Sequence, residues 1–413
     1  MRRAGGLMEA VCEPENLRLA FWKASRGKRA RPDQRAYAAD LEGELARLRE
    51  GLLDGTYPVG NYRQFTIREP KVRVISAAAF RERVLHHALM NVLEPWFERW
   101  LVYDTYACRK GRGQLAAVSR AQVFARRHEW FLQSDVRKFF DSIPHAGLER
   151  TIERKIKDSR VAAWLRRIVE TYETAPGRGL PIGNLTSQHL ANLYLDGLDR
   201  FVAREKGACG AGGYVRYMDD VVVWGDAKDG LKRLRDAAGE WMRRELDLEW
   251  KAPPRIGRCA SGMDFLGMRV YPGWRRASRT SLARFRRKAA FCEDCLESGA
   301  WDEATFQARM TALGAFLLQA DTLGWRRKAT GDNRVLRGGS WNNNARNCRS
   351  ANRNNNDPAN RNNNNGFRPC SSAAPQDATD SENPANRAVP AAVPSGASFP
   401  GRGRRTATAP RYR

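Results

Sequence analysis

The chain has 413 residues and a formal net charge of +26 at pH 7. That length allows a sizeable core and two or three sub-domains, and that charge sets up a field that attracts phosphate polymers. No apolar run approaches the roughly 18 residues of a membrane span, and Met1-Arg2-Arg3-Ala4-Gly5-Gly6 lacks the apolar stretch of a secretory signal, so no membrane partner and a cytoplasmic location are expected. Of the eight cysteines only Cys292 and Cys295 stand close together, with no second pair at zinc spacing. Reduced, buried thiols are expected there, not a metal site.

From Pro14 to about Leu53 the pattern predicts helix, with Leu41, Leu45, Leu48 and Leu52 forming one apolar stripe. The basic turn Lys23 to Arg29 either touches phosphate or is simply solvated. From Tyr62 to Ser76 the pattern becomes strand-like, broken at Glu69-Pro70-Lys71. Lys71 and Arg73 alternate with Val72 and Val74, so both cations fall on one face of a strand; they are either a triphosphate clamp or an ordinary solvated face. Helix is predicted again from Ala79 to Trp100. The glycine-spaced loop Tyr106 to Gln114 then brings Arg109, Lys110 and Arg112 to a helix start, where backbone amides and cations together suit phosphate.

Trp130 to Asp135 reads as a strand with Asp135 where it leaves the core. A long polar-faced helical region follows from His145 to about Thr171. The loop Gly177 to Gln188 opens a helix carrying Leu190, Leu193, Leu195 and Leu198. Next come Gly212 to Arg216 and Val221 to Trp224, two short strands flanking Tyr217-Met218-Asp219-Asp220. Adjacent like charges at the mouth of an apolar hairpin repel each other and resist desolvation, so a cation is expected to neutralise them. Hard carboxylate oxygens suit magnesium. Taken alone, the pair is equally an Asp-Asp turn between strands. With Asp135 the picture changes: if its strand neighbours the hairpin in one sheet, three carboxylates converge. Two magnesium ions between them would lower the pKa of an attacking 3′-hydroxyl and stabilise leaving pyrophosphate. Further on, Leu231 to Trp250 is predicted helical, Gly262 to Val270 a strand pair, and Trp274 to Lys328 helical. The last of these starts strongly basic, with Arg284 and Arg287 among its arginines and Trp274 and Phe285 interleaved, a mixture suited to gripping a duplex backbone.

On these motifs the chain resembles the reverse transcriptases, and among them the diversity-generating retroelement type, over roughly residues 12 to 326. The resemblance implies an α+β right-hand polymerase. Residues 1–130 would be N-terminal helices and fingers, 131–271 a ferredoxin-like antiparallel palm sheet with fingers insertions and the active site, 272–328 a helical thumb, and 329–413 a disordered tail. It makes Asp135 and Asp219 ligands of two Mg2+ ions, adds the carbonyl of Val136, and gives Asp220 a supporting place. Phe140 stands where such enzymes keep an aromatic that blocks a ribose 2′-hydroxyl. Lys71 and Arg73 match the fingers cations that hold the triphosphate, and Phe265-Leu266-Gly267 is similar to the primer grip. In the nucleotide loop, Pro181-Ile182-Gly183 replaces the usual Pro-Gln-Gly, and Ser187-Gln188 has the ending typical of the diversity-generating type. Ile182 cannot make the glutamine's hydrogen bond near the incoming sugar, a loss that relaxes discrimination; the alternative is that it only packs.

The asparagine runs at 342–344, 354–356 and 362–365 lie between Arg337-Gly338-Gly339-Ser340-Trp341 and Gly366-Phe367-Arg368. Asparagine codons are adenine-rich, and these borders resemble the end of a C-type-lectin or formylglycine-generating-enzyme-like variable domain. Residues 334–370 therefore read as a template repeat translated in frame, or else as a polar linker. The partners implied are a template-repeat RNA and its cDNA, deoxynucleoside triphosphates, and a small basic accessory variability protein. Rival readings are a group II intron-like or retron-like enzyme of ordinary fidelity and a catalytically inactive RNA-binding protein.

Overall fold

In the computed structural model, which describes residues 4–68, 72–251 and 254–321, the leucine stripe becomes the buried side of an N-terminal helical layer. That layer holds α1 (Leu7–Val11), α2 (Pro14–Ser25), α3 (Pro32–Ala39) and α4 (Leu41–Asp54). Proline at the first position starts α2 and α3, where its missing N–H costs nothing. Leu45, Leu48 and Leu52 are buried with Tyr37, Phe80 and Leu85. Lys71, the expected tail at 329–413 and its repeat at 334–370 lie outside the described residues.

β1 (Tyr62–Ile67) and β2 (Arg73–Ala78) form a separate antiparallel ribbon in which Ile67 opposes Arg73. α5 (Phe80–Trp100) and α6 (Gln114–Arg127) lead into β3 (Trp130–Asp135). The helical stretch that follows comprises α7 (Phe139–Ser142), α8 (His145–Lys155), α9 (Ser159–Glu170), α10 (Leu185–Tyr194) and α11 (Asp196–Glu205). β4 (Ala211–Tyr217), β5 (Asp220–Gly225), α12 (Lys228–Leu246) and β6 (Arg255–Arg258) complete a four-stranded antiparallel sheet of order β4-β5-β3-β6. A second sheet, β7 (Met263–Phe265), β8 (Met268–Val270) and β9 (Arg275–Ala277), precedes α13 (Arg279–Glu297) and α14 (Glu303–Leu317).

The larger sheet is covered on both faces, which is why Val221 to Trp224 reads as an unbroken apolar run. Leu132, Tyr214, Val221 and Val223 pack in the core with Leu198 of α11 and Leu234 of α12. On the opposite face Phe131, Val215, Val222 and Trp224 pack with Val118, Ala121 and Phe124 of α6 and with Phe265 and Met268.

Two helical expectations are corrected. The helix predicted to reach Trp250 stops at Leu246, where Asp247 turns left-handed (φ 51°); Leu248 is then buried and Trp250 bridges to Val136 as a strand would. The helix predicted from Trp274 begins only at Arg279, because Arg275–Ala277 pairs with β8. Ser278 ends that strand and caps α13 by accepting from the Ser281 N–H.

Candidate active site

β3 and β5 are neighbours, and their register sets Asp135 opposite Asp220. Directly opposed residues of an antiparallel pair point to the same face with Cα atoms about 4.5–5.5 Å apart. Tyr217 in turn opposes Asp220, leaving only Met218 and Asp219 in the turn. Met218 has φ 56°, the positive value at the first turn position that marks a type II′ hairpin and that glycine usually supplies. A non-glycine residue held there costs about 1–3 kcal/mol and persists only if its surroundings fix it. The Asp219 carbonyl accepts from Val136 N at 3.3 Å. Asp220 and Asp135 share their face with Val222, Trp224 and Phe131, the side covered lower down by α6.

Burial, followed by the charge of Asp135, raises the Asp219 carboxyl above its ordinary value, while the nearby Arg73 pulls the other way. Asp220 is pushed up much further, by burial, by its hydrogen bond with Asp135, and by the charges of Asp135 and Asp219. Lys251 is the local counter-ion: its Nζ lies 3.0 Å from Asp135 Oδ2 and its N–H donates to the Asp135 carbonyl at 2.8 Å. Among the described residues no group of three or more His, Cys, Asp and Glu side chains forms a metal cage. The donor set nevertheless fits magnesium, which takes one or two carboxylates and completes its shell with water and phosphate oxygens. Two half-buried carboxyl groups held above their ordinary values beside a third, Asp135, are what such a cation would relieve.

The residues of the nucleotide loop are bonded into one seam. Leu180 N donates to the Phe140 carbonyl at 2.8 Å, and Ser76 N of β2 donates to the Ile182 carbonyl at 2.9 Å. Gly183 has φ 117°, and a Cβ there would lie 2.8 Å from Ile75 Cγ2. Phe140 is half-buried and stands edge-on to Phe139. Gln188, on α10, accepts from Cys108 Sγ at 3.5 Å. Arg73 begins β2, with its charge felt at Asp219. Gly267 (φ 80°) lies in the β7–β8 turn, where its carbonyl accepts from Ser278 N and Ser281 Oγ, each at 2.9 Å. Gln133 Nε2 donates to the Asp264 carbonyl, tying that hairpin to β3 on the acidic face.

The three cations of the 106–114 loop do not act alike. Arg109 faces inward with its side chain 4% exposed, bonded to Glu98 and to the carbonyls of Val102 and Thr105, so the expectation that it meets phosphate is corrected. Lys110 is 77% exposed opposite Glu94, and Arg112 lies 4.3 Å over the Tyr103 ring. On α13, Arg284 is half-buried and Arg287 exposed.

Sequence reasoning missed two positions. Lys251 gives no local signal, since its contact depends on β3 being brought to it. Arg216 sits in an apolar strand, and its complete burial against Asp199 of α11 is the kind of pairing a cation in such a strand demands; that demand was the available clue.

Residues 67–268 match the reverse transcriptase (RNA-dependent DNA polymerase) family, and residues 291–373 match the sulfatase-modifying factor enzyme 1-like domain. The chain is 26% identical to protein YkfC of Escherichia coli K12 over 55% of its own length and 59% of that protein. It is 26% identical to the group II intron-encoded protein LtrA of Lactococcus lactis (40% and 29%) and 24% identical to nuclear intron maturase 4, mitochondrial, of Arabidopsis thaliana (47% and 25%). It thus spans no more than 59% of any of these relatives. Among solved structures, apo telomerase from Candida tropicalis aligns over 52% of this chain and 47% of that one, with a TM-score of 0.40 and 10% identity.

Proposed function

We propose that this chain, which carries a reverse transcriptase domain at residues 67–268 with relatives among group II intron-encoded proteins, is an RNA-directed DNA polymerase. The observation that carries the reading is the register that sets Asp135 against Asp220 beside the Asp219 turn. In this reading Asp135, Asp219 and the Val136 carbonyl hold two Mg2+ ions, with Asp220 in support. The metal pair supplies activation of the primer hydroxyl and neutralisation of the leaving pyrophosphate. Arg73 and Lys71 hold the triphosphate, Phe140 and the 182–188 loop line the sugar and nascent pair, and Gly267 lies at the primer. Primer extension on an RNA template with deoxynucleotides and Mg2+ tests this. Asp219→Ala should abolish extension while leaving the melting temperature intact, and undiminished extension by that variant would remove the turn from catalysis.

Our finer reading is a diversity-generating enzyme that copies a template-repeat RNA into adenine-mutagenised cDNA to diversify a target gene. Three features support it: Ile182 at the glutamine position, the asparagine runs, and the similarity of 291–373 to a sulfatase-modifying factor domain. A small basic accessory protein belongs to this reading, as does 334–370 as translated repeat. Replacing Ile182 with Gln should lower misincorporation opposite template adenines by about tenfold, the scale of one polar contact; an unchanged cDNA error spectrum would count against it. The intron-encoded relatives support the rival reading of a group II intron-like enzyme, which we take to be of ordinary fidelity, and the wild-type error spectrum separates the two.

A further inference from the structure

Arg216 is wholly buried, as is its partner Asp199. All five N–H bonds a guanidinium possesses find acceptors. Nε and Nη2 donate to the two Asp199 oxygens at 2.6 Å each, Nη2 also to the Asn192 carbonyl at 3.0 Å, and Nη1 to Asn192 Oδ1 at 2.7 Å and to the Met218 carbonyl at 3.0 Å. Its backbone is equally engaged, the N–H donating to the Asp104 carbonyl and the C=O accepting from Tyr106 N. The Tyr214 hydroxyl donates to Asp199.

A buried ion pair is a poor source of stability compared with apolar packing of the same volume. What it provides here is a fixed donor aimed at the turn. We propose that Arg216 is a positioning residue for the acidic turn: approaching from the face of β4 opposite the carboxylates, it fixes the peptide between Met218 and Asp219 and so the direction of the Asp219 carboxylate toward its cation. The inference rests on the metal-binding role assigned to Asp219 above. Met218 has the positive φ that needs external support, and the Met218 carbonyl is where that support arrives. Val136 holds the next carbonyl from the other side of the turn by a longer bond, 3.3 Å. Asn192 extends the bracket, its Nδ2 donating to the Ala107 carbonyl, so α10, the 104–107 segment and the turn meet at one side chain. Lysine offers three donors at a single point and cannot span these acceptors.

The experiment compares Arg216→Lys with Tyr214→Phe in the full chain; the latter weakens the same ion pair without touching the turn. Amide hydrogen exchange across 217–220 and Mn2+ affinity by electron paramagnetic resonance are read together with the affinity for an RNA–DNA duplex. Arg216→Lys should speed exchange in the turn and weaken Mn2+ binding, each by about tenfold, as loss of one charged hydrogen bond implies. Tyr214→Phe should do neither, and duplex affinity should hold in both. Should Arg216→Lys not fold, Asn192→Ala frees Nη1 from one of its two acceptors, leaves the Asp199 pair in place, and should loosen the same peptide. Exchange in the turn that stays at the wild-type rate, or rises equally in Tyr214→Phe, overturns the proposal and leaves Arg216 a core ion pair. Failure of the unsubstituted chain to bind Mn2+ counts against the polymerase reading instead, and the exchange comparison still decides the role of Arg216.

Discussion

Asp220 is the clearest case of a side chain whose surroundings oppose its own charge. Its carboxyl is pushed upward by burial, by its hydrogen bond with Asp135 and by two neighbouring carboxylates, and Asp219 is raised in the same direction. The sign of the consequence is fixed by linkage. A native state that keeps a proton the unfolded chain has given up loses stability as pH rises, starting above the ordinary carboxylate value of 3.8. The metal-free protein should therefore melt progressively lower between pH 5 and pH 8 through this site, and Mg2+ should raise the melting temperature more at pH 8 than at pH 5, because protons compete less strongly there for the oxygens. Asp220→Asn should flatten the metal-free trend. Scanning calorimetry with and without Mg2+ measures both effects, and a Mg2+-induced shift that is equal at the two pH values would show that the acids and the cation are not linked. Lys251 moderates the same balance, since its ammonium already answers part of the charge on Asp135.

Between elements, the proposed nucleotide contacts depend on a slender junction. The β1–β2 ribbon has only two strands, marginal by itself, and Phe65, Ile67, Val72 and Val74 are all exposed on it. It is fastened to the 181–184 loop by Ser76 N on the Ile182 carbonyl, with Gly183 under Ile75. Gly183→Ala should cost about 1–3 kcal/mol, because φ 117° is strained for any side chain. It should also raise KM for deoxynucleotides more than it lowers kcat, through displacement of the ribbon bearing Arg73. An unaltered KM would mean that the ribbon does not follow the loop. The ribbon and hairpin strands were legible in the sequence because β-branched residues alternate or run between turn residues: Val72 and Val74 about Arg73, Val221 to Val223 after the acids. The convergence of Asp135 with the turn was legible only as a condition, since register depends on which strands become neighbours. Arg275–Ala277 escaped notice because three residues, two of them charged, carry no period. The inward turn of Arg109 escaped for another reason: a cation beside glycines looks solvated until Glu98, eleven residues upstream on α5, is folded against it.

Over the whole molecule the dominant quantity is charge. A formal +26 exceeds anything the acidic site requires, and on α13 Arg279, Arg284, Arg286, Arg287 and Lys288 concentrate part of it within ten residues. In the proposed reading such a helix, whose first turn is bonded to Gly267 through Ser281, supplies charge for a duplex backbone. Phosphate contacts act through released counterions, so each one contributes about one unit to the slope of log affinity against log salt without choosing a sequence. Arg284→Gln with Arg287→Gln should therefore weaken RNA–DNA duplex binding to a similar extent on any sequence and make that slope shallower by about two. Turnover at saturating duplex should change little, since these contacts act through binding. Fluorescence anisotropy titrations from low to moderate salt read the slope directly. An unchanged slope in the double variant would take α13 out of the duplex interface and leave the remaining basic surface, Lys110 and Arg112 included, to account for the grip.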